Sequence, residues 1–396
     1  MMTDNQESQT SQSPATQGTV IRSLKDLIEA ASGRSLGVHV EQEDSGRAEI
    51  LPFPFLALVG QREMKLSLLL ALINPKIGGV LLIGPRGTGK TTAIRSLVDL
   101  LPDVPRSLCY YGCMPDDIES GGIDAVCTDC ARKYALGEPI AALDRVRLVE
   151  LPLNARLEDV IGGIDERTAG HDKGRIRRGI LAQADRNLLH VDEVNLLTDD
   201  VVDAILDAAA QGAYTVRRGP VAATYRSRFI LIGSMNPEEG NLRPQIMDRF
   251  GLRVIVRGLL SVDERLEAYQ RAITYQTRPR WLANQYNSDT QWVQQEIQSA
   301  RNMVTEIIIP EHVSQYGLQM IKAMGIDSLR AEISLFEAVK SYAAMDARKE
   351  VREEDLQIVA PMVLRMRRST YMKQFLNERQ DEEDEISQVV ARTITS

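Results

Sequence analysis

The stretch GPRGTGKT, Gly84 to Thr91, sets three glycines around one lysine that a hydroxyl residue follows. Gly84, Gly87 and Gly89 let the backbone curl until its N–H groups converge, and converging N–H groups at a helix start attract phosphate. Pro85, Arg86 and Thr88 complete the loop, Lys90 is placed to pair with β- and γ-phosphates, and the Thr91 hydroxyl is placed to bind Mg²⁺. NLLHVDEVNLL carries Asp192 and Glu193 at the end of an apolar run. There the aspartate would hold Mg²⁺ through water and the glutamate would polarise an attacking water. FILIGSMNP ends in Asn236, whose side chain would orient that water or the γ-phosphate. The chemistry implied is hydrolysis of ATP with Mg²⁺. His190, inside its strand, reads as a core histidine rather than a ligand.

A cation for the charge that develops on a transferred phosphoryl group is still missing from this set. RPQIMDRFGL places Arg249 after the Asn236 strand and a short helical turn, at an edge from which it would reach a neighbouring subunit's nucleotide. That role requires a ring or stack of chains, and the alternative is a surface pair with Asp248. Arg330, in GIDSLRAEISLFEAVK, stands near a helix start where it would tie nucleotide state to the orientation of a helical region.

The elements that must position these residues alternate. From about Phe53 to Arg257 apolar strand-like runs and helical stretches follow one another, the pattern of an α/β layer fold with a parallel sheet. Strands are expected at Gly79–Ile83, Leu188–Val191 and Phe229–Gly233, and Tyr214–Arg228 reads as a hairpin around Gly219-Pro220. Boundaries are expected at 1–50 for a disordered extension with one amphipathic helix, 51–258 for the ATPase region with a four-cysteine insertion near 105–135, 259–375 for a smaller all-α region, and 376–396 for an acidic tail.

Composition narrows the partners. A net charge of -8 over 396 residues argues against a broad nucleic-acid or anionic-membrane footprint. The longest apolar run, Leu66 to Ile73, is too short to span a bilayer, so no integral membrane segment is expected. Neither a signal peptide nor an Arg-rich transit pattern is visible, and four cysteines do not make a secreted disulfide scaffold. The expected compartment is cytoplasmic.

FPFLALVGQREMKLSLLLALINPKIGGVLLIGPRGTGKTT, GILAQADRNLLHVDEVNLL, FILIGSMNPEEGNLRPQIMDRFGL, and SLRAEISLFEAVKSYAAMDARKEV followed by DLQIVAPMVLRMRR together resemble the AAA+ ATPases, and among them the magnesium chelatase I subunits. The resemblance covers roughly Phe53 to Arg368 and leaves the first fifty residues as an extension. It implies an AAA+ P-loop core with a hairpin insertion and a helical lid. It also implies a homo-oligomeric ring, six-membered in the family, that works with a D subunit and a porphyrin-binding H subunit to insert Mg²⁺ into protoporphyrin IX. On that basis the catalytic set is Glu193, Asn236, Arg249 and Arg330, and Val59-Gly60-Gln61 lies beside the adenine. A MoxR-type AAA+ ATPase that matures another protein complex shares the P-loop and arginines, but NPKIGG and NPEEGNLRPQ favour the chelatase.

All four cysteines fall in LCYYGCMPDDIESGGIDAVCTDC as C-x3-C-x13-C-x2-C: Cys109, Cys113, Cys127 and Cys130. Two close pairs suit tetrahedral thiolate ligation of a structural Zn²⁺. An Fe–S cluster, redox-active thiols and unligated cysteines are the alternatives.

Overall fold

The computed structural model describes residues 51–109, 111–164, 176–218 and 221–368. The expected extension (1–50) and acidic tail (376–396) lie outside the described residues. In chain order the strands are β1 (Val80–Ile83), β2 (Val104–Ser107), β3 (Ala141–Asp144), β4 (Leu148–Leu151), β5 (Gly162–Ile164) and β6 (Ile176–Arg178). They continue with β7 (Leu188–Val191), β8 (Ala213–Arg218), β9 (Val221–Arg226), β10 (Ile230–Met235) and β11 (Leu252–Ile255). β1, β7 and β10 are buried along their whole length, as expected of a parallel sheet covered on both faces.

Five strands form one sheet in the order β11-β1-β10-β7-β4, and every pairing in it is parallel. All five carboxyl ends therefore lie along one edge. Strand residues alternate between faces, and the alternation divides the interior in two. Val80, Leu82, Ile230, Ile232, Leu252 and Val254 join one core. Leu81, Ile83, Leu189, Val191, Leu231 and Met235 join the other, against the helix Asp199–Gln211.

After β11 the chain is helical, with helices Val262–Thr277, Pro279–Met303, Glu311–Ala323, Leu329–Met345 and Glu353–Leu364. Their apolar faces extend the first core: Leu282, Tyr286, Leu335, Tyr342, Leu356 and Val363 belong to the same buried cluster as β1 and the helix Arg62–Ile73. Hydrophobic burial thus binds the helical region to one face of the sheet.

β11 carries a guanidinium through this interior. Arg253 is fully buried, and burial pulls its pKa down to about 9, with the neighbouring Arg367 adding to the fall. It is satisfied by carbonyls: Nε donates to Met247 O at 2.8 Å and Nη1 to Arg365 O at 2.8 Å. The latter bond ties β11 to the end of the last helix.

The expected hairpin is present as β8 and β9, paired antiparallel from Ala213↔Arg226 to Arg218↔Val221. The Thr215 and Thr224 hydroxyls lie 2.9 Å apart across it, and the Tyr214 and Tyr225 rings 5.7 Å apart. β2 and β3 also pair antiparallel, and they close the neck of an insertion, residues 104–144, that carries the four cysteines.

Candidate nucleotide site

Strand order reverses around β1, whose neighbours are β10 and β11, and such a switch point opens a crevice beyond the carboxyl ends. The loop from Gly84 to Gly89 fills that position. A Cβ on Gly84 would lie 2.1 Å from the Val256 carbonyl oxygen, so the loop can leave β1 this close to β11 only without a side chain. Gly87 and Gly89 have φ of +78° and +85° with open space around them, so there glycine is needed for the left-handed backbone rather than for room. Lys90 curls back over the loop, its Nζ donating to Gly84 O at 2.6 Å and Pro85 O at 2.8 Å. Burial lowers its pKa against the pull of Asp192, Glu239 and Glu193.

The strand beside β10 delivers the acids. Asp192 accepts from the Glu193 backbone N–H at 3.1 Å and from the Ser234 hydroxyl. His190 Nε2 lies 3.4 Å from the same hydroxyl, and burial keeps the imidazole pKa below its usual value, so the ring is a neutral interior group as expected. Glu193 has φ 47°, ψ 52°, a left-handed conformation that costs a non-glycine residue of order 1 kcal/mol and aims its carboxylate into the crevice. Arg86 reaches across the loop to Glu193 Oε1 at 3.0 Å and Glu239 Oε1 at 2.5 Å. Asn236, buried, accepts from Glu238 N at 3.3 Å and donates to Glu239 Oε1 at 3.3 Å.

These groups enclose a cleft of about 320 Å³ lined by Arg86 to Thr92 with Asp192, Glu193, Met235 and Asn236. It suits a nucleotide's phosphates with a divalent cation: backbone curl and Lys90 on one wall, carboxylates on the other, and Thr91 half-buried between them. The Glu239 Oε2 atom at its margin is buried without a protein partner, a polar atom placed for water or an ion. Ser234→Ala would remove one of the bonds that orient Asp192, and is expected to lower Mg²⁺-dependent turnover about 10-fold with the fold intact. A Mg²⁺ titration of ATPase rate whose midpoint did not move would refute that role.

The remaining expected residues fall in three places. Val59, Gly60 and Gln61 lie at the carboxyl edge but outside the phosphate cleft, with Gln61 Nε2 donating to Arg257 O at 2.6 Å and Gly60 packed on Leu259. Arg249 lies at the opposite edge: just beyond it Leu252 N donates to Gly79 O at 3.0 Å, at the amino end of β1. Four strand residues, roughly 13 Å at about 3.3 Å each, separate that level from the loop. Its guanidinium pairs with Asp207 at 2.8 Å and Asp203 at 3.3 Å on the helix Asp199–Gln211, and the surface pair with Asp248 is not the one formed. Asp248 instead accepts from Arg367 at 2.6 Å and Ser328 at 3.1 Å. Arg330, exposed at the start of its helix, follows two residues after Ser328, whose hydroxyl donates to Asp248, and so belongs to this amino edge as well.

The four cysteine sulfurs come together within 4.8 Å of one another in the insertion. A larger cavity of about 730 Å³ lies under the insertion and shares no residue with the phosphate cleft. Of the five arginines that line it, Arg106 and Arg147 pair with Asp144 and Arg186 with Asp116, while Arg145 and Arg178 also face it. Sequence reasoning overlooked Glu239 and Ser234, although both stand in the GSMNPEEG stretch around Asn236.

A parallel sheet in this order, with a phosphate loop, a strand-end acid pair and a polar residue on the strand between them, defines a P-loop ATPase of the AAA class. An AAA domain matches residues 77–236 and an AAA lid domain residues 320–389. The chain belongs to the magnesium-chelatase subunit I family. It is 38% identical to a magnesium-chelatase subunit ChlI homolog of Methanocaldococcus jannaschii, over 82% of this chain and 88% of the relative. It is 39% identical to the chloroplastic magnesium-chelatase subunit ChlI of Glycine max (80% and 74% covered) and 37% identical to the magnesium-chelatase 38 kDa subunit of Acidiphilium rubrum (80% and 90%). Among solved structures, a putative ATPase from Cytophaga hutchinsonii shares the fold, with a TM-score of 0.51 at 19% identity over 78% of this chain and 83% of that one. A chain from a complex between subunits BchI and BchD of magnesium chelatase is 34% identical over 81% of this chain and 97% of that one, with a TM-score of 0.46. No helix among the described residues is long and apolar enough to cross a membrane.

Proposed function

We propose that this chain is the ATP-hydrolysing motor of magnesium chelatase, a cytoplasmic AAA+ ring whose turnover drives insertion of Mg²⁺ into protoporphyrin IX on the way to chlorophyll or bacteriochlorophyll. The observation that carries this reading is the division of one family's catalytic set between two edges of one sheet. Lys90, Asp192, Glu193 and Asn236 face the cleft, while Arg249 and Arg330 lie at the far edge, where a neighbouring chain's cleft would have to meet them.

Bound ATP with Mg²⁺ supplies a phosphoryl group for transfer to water. The chain's own residues prepare for it. Lys90 would exchange two loop carbonyls for phosphate oxygens, and Thr91 with Asp192 would hold the cation. Glu193, released from Arg86, accepts the proton of the attacking water while Asn236 orients that water. A structural Zn²⁺ held by Cys109, Cys113, Cys127 and Cys130 would complete the cofactors.

The partners of this reading are further copies of the chain in a six-membered ring, a D subunit, and an H subunit that holds the porphyrin. The test is Mg-protoporphyrin fluorescence in a reconstitution with D and H subunits, Mg²⁺ and ATP. Product that appears only when this chain is present supports the motor role. ATP hydrolysis without product would move the assignment to a MoxR-type remodelling ATPase.

A further inference from the structure

We propose that Cys109, Cys113, Cys127 and Cys130 bind one Zn²⁺ through four thiolates, and that the ion holds the insertion in the shape that clamps the β8–β9 hairpin. Four ligand atoms converge: each sulfur lies within 4.8 Å of the other three. A tetrahedral Zn²⁺ site with Zn–S near 2.3 Å has sulfur–sulfur edges of about 3.8 Å, so closing on the ion needs a shift of roughly 0.6 Å per sulfur at most. A four-iron cluster occupies the space between its thiolates and holds the sulfurs farther apart than 4.8 Å, which disfavours that alternative.

The backbone is folded around sulfur. The amides of Cys113, Cys127 and Cys130 point at the sulfurs of Cys109, Cys113 and Cys127 at 3.4, 3.3 and 3.5 Å. Such N–H groups offset thiolate charge that a dication alone does not neutralise. Both pairs sit in tight knuckles. Gly112, at φ +70°, turns the chain between Cys109 and Cys113, and Cys127 caps the helix Thr128–Ala135 whose first turn holds Cys130.

The insertion's own core makes the same demand from a different side. Its buried cluster is Cys113, Ile118, Val126, Cys127, Cys130 and Ile140, separate from both cores of the sheet. Three of those six side chains are the thiols themselves. A segment of about 40 residues with so little apolar interior needs a metal or a cross-link to hold its shape.

What the insertion then does is visible at its first helix, Pro115–Gly121, which follows Cys113 after one residue. Asp116 pairs with Arg186 at 2.7 Å, directly ahead of β7, and with Arg226 of β9 at 3.3 Å. Arg226 also donates to the Asp116 carbonyl at 3.1 Å and to the Ser120 hydroxyl at 3.2 Å, and lies 3.3 Å from Asp117. The clamp therefore joins the hairpin to the chain entering the Asp192 strand.

The full-length chain, expressed without added metal and desalted, is expected to carry one zinc per chain by elemental analysis, and less than a tenth of that in Cys113→Ser/Cys130→Ser. Exchange of the wild-type protein into Co²⁺ is expected to give the intense visible bands of a tetrahedral tetrathiolate, a readout that does not depend on the variant folding. Iron with acid-labile sulfide, or four freely titrating thiols with no metal, overturns the site. For the clamp, zinc removal by a chelator and Asp116→Asn, which keeps the zinc, are both expected to speed amide exchange in residues 213–226 about 10-fold. Unchanged exchange in the zinc-free protein overturns the coupling even if the site stands.

Discussion

Lys90→Ala is expected to reduce ATP hydrolysis at least 1000-fold, about 4 kcal/mol, and to abolish Mg-protoporphyrin formation in the same measure. Two functions are lost together. The ammonium would turn towards β- and γ-phosphates, and its bonds to Gly84 O and Pro85 O also hold the loop in its curl. The variant should fold, because Lys90 is half-exposed and belongs to neither core. Single-turnover hydrolysis and nucleotide binding, measured on protein with a wild-type melting temperature, separate the two contributions. A variant within 10-fold of wild type would show that the cleft described above is not where ATP is cleaved.

Arg249→Ala is expected to cost about 10³- to 10⁵-fold in turnover, or roughly 4 to 7 kcal/mol, while leaving nucleotide affinity nearly unchanged. In the proposed role the side chain would contribute to the transition state of a site it does not line, so ground-state binding would have little to lose. Complementation is the sharper measurement. Lys90→Ala chains retain Arg249 and Arg249→Ala chains retain the cleft, so mixing two nearly inactive preparations is expected to restore activity. An assembled Arg249→Ala ring that hydrolyses ATP normally, or a mixture that stays inactive although mixed rings form, would return Arg249 to a structural pair with Asp203 and Asp207.

Much of the site was legible because its residues follow strands whose apolar runs are uninterrupted. VLLI, LLHV and ILIGSM are buried throughout, and their ends place the loop, Asp192 and Asn236 side by side. The two edge strands of the sheet were not legible. β11 is broken as an apolar pattern by Arg253, whose charge is met by the carbonyls of Met247, Phe250 and Arg365 and by Asp248 at 3.8 Å. β4 carries Glu150 towards Arg95 and is half-exposed. Leu282, Leu335 and Leu356 of the helical region pack into the core that also holds β1, a pairing no local period reveals. Ser234 and Glu239 escaped notice for a similar reason: a serine inside a strand and a glutamate after a turn acquire roles only through Asp192 and Arg86.

The separation of Arg249 and Lys90 onto opposite edges of the sheet has a genetic consequence. In the proposed ring, each working site would draw on two copies of the chain, its owner and its neighbour. A copy defective at both residues spoils two sites rather than one. In a cell that makes such copies and normal ones in equal amount, only about a quarter of sites have both contributors intact. The mutant allele would therefore be expected to act dominantly, and a pigment defect deeper than simple halving would be its outward sign.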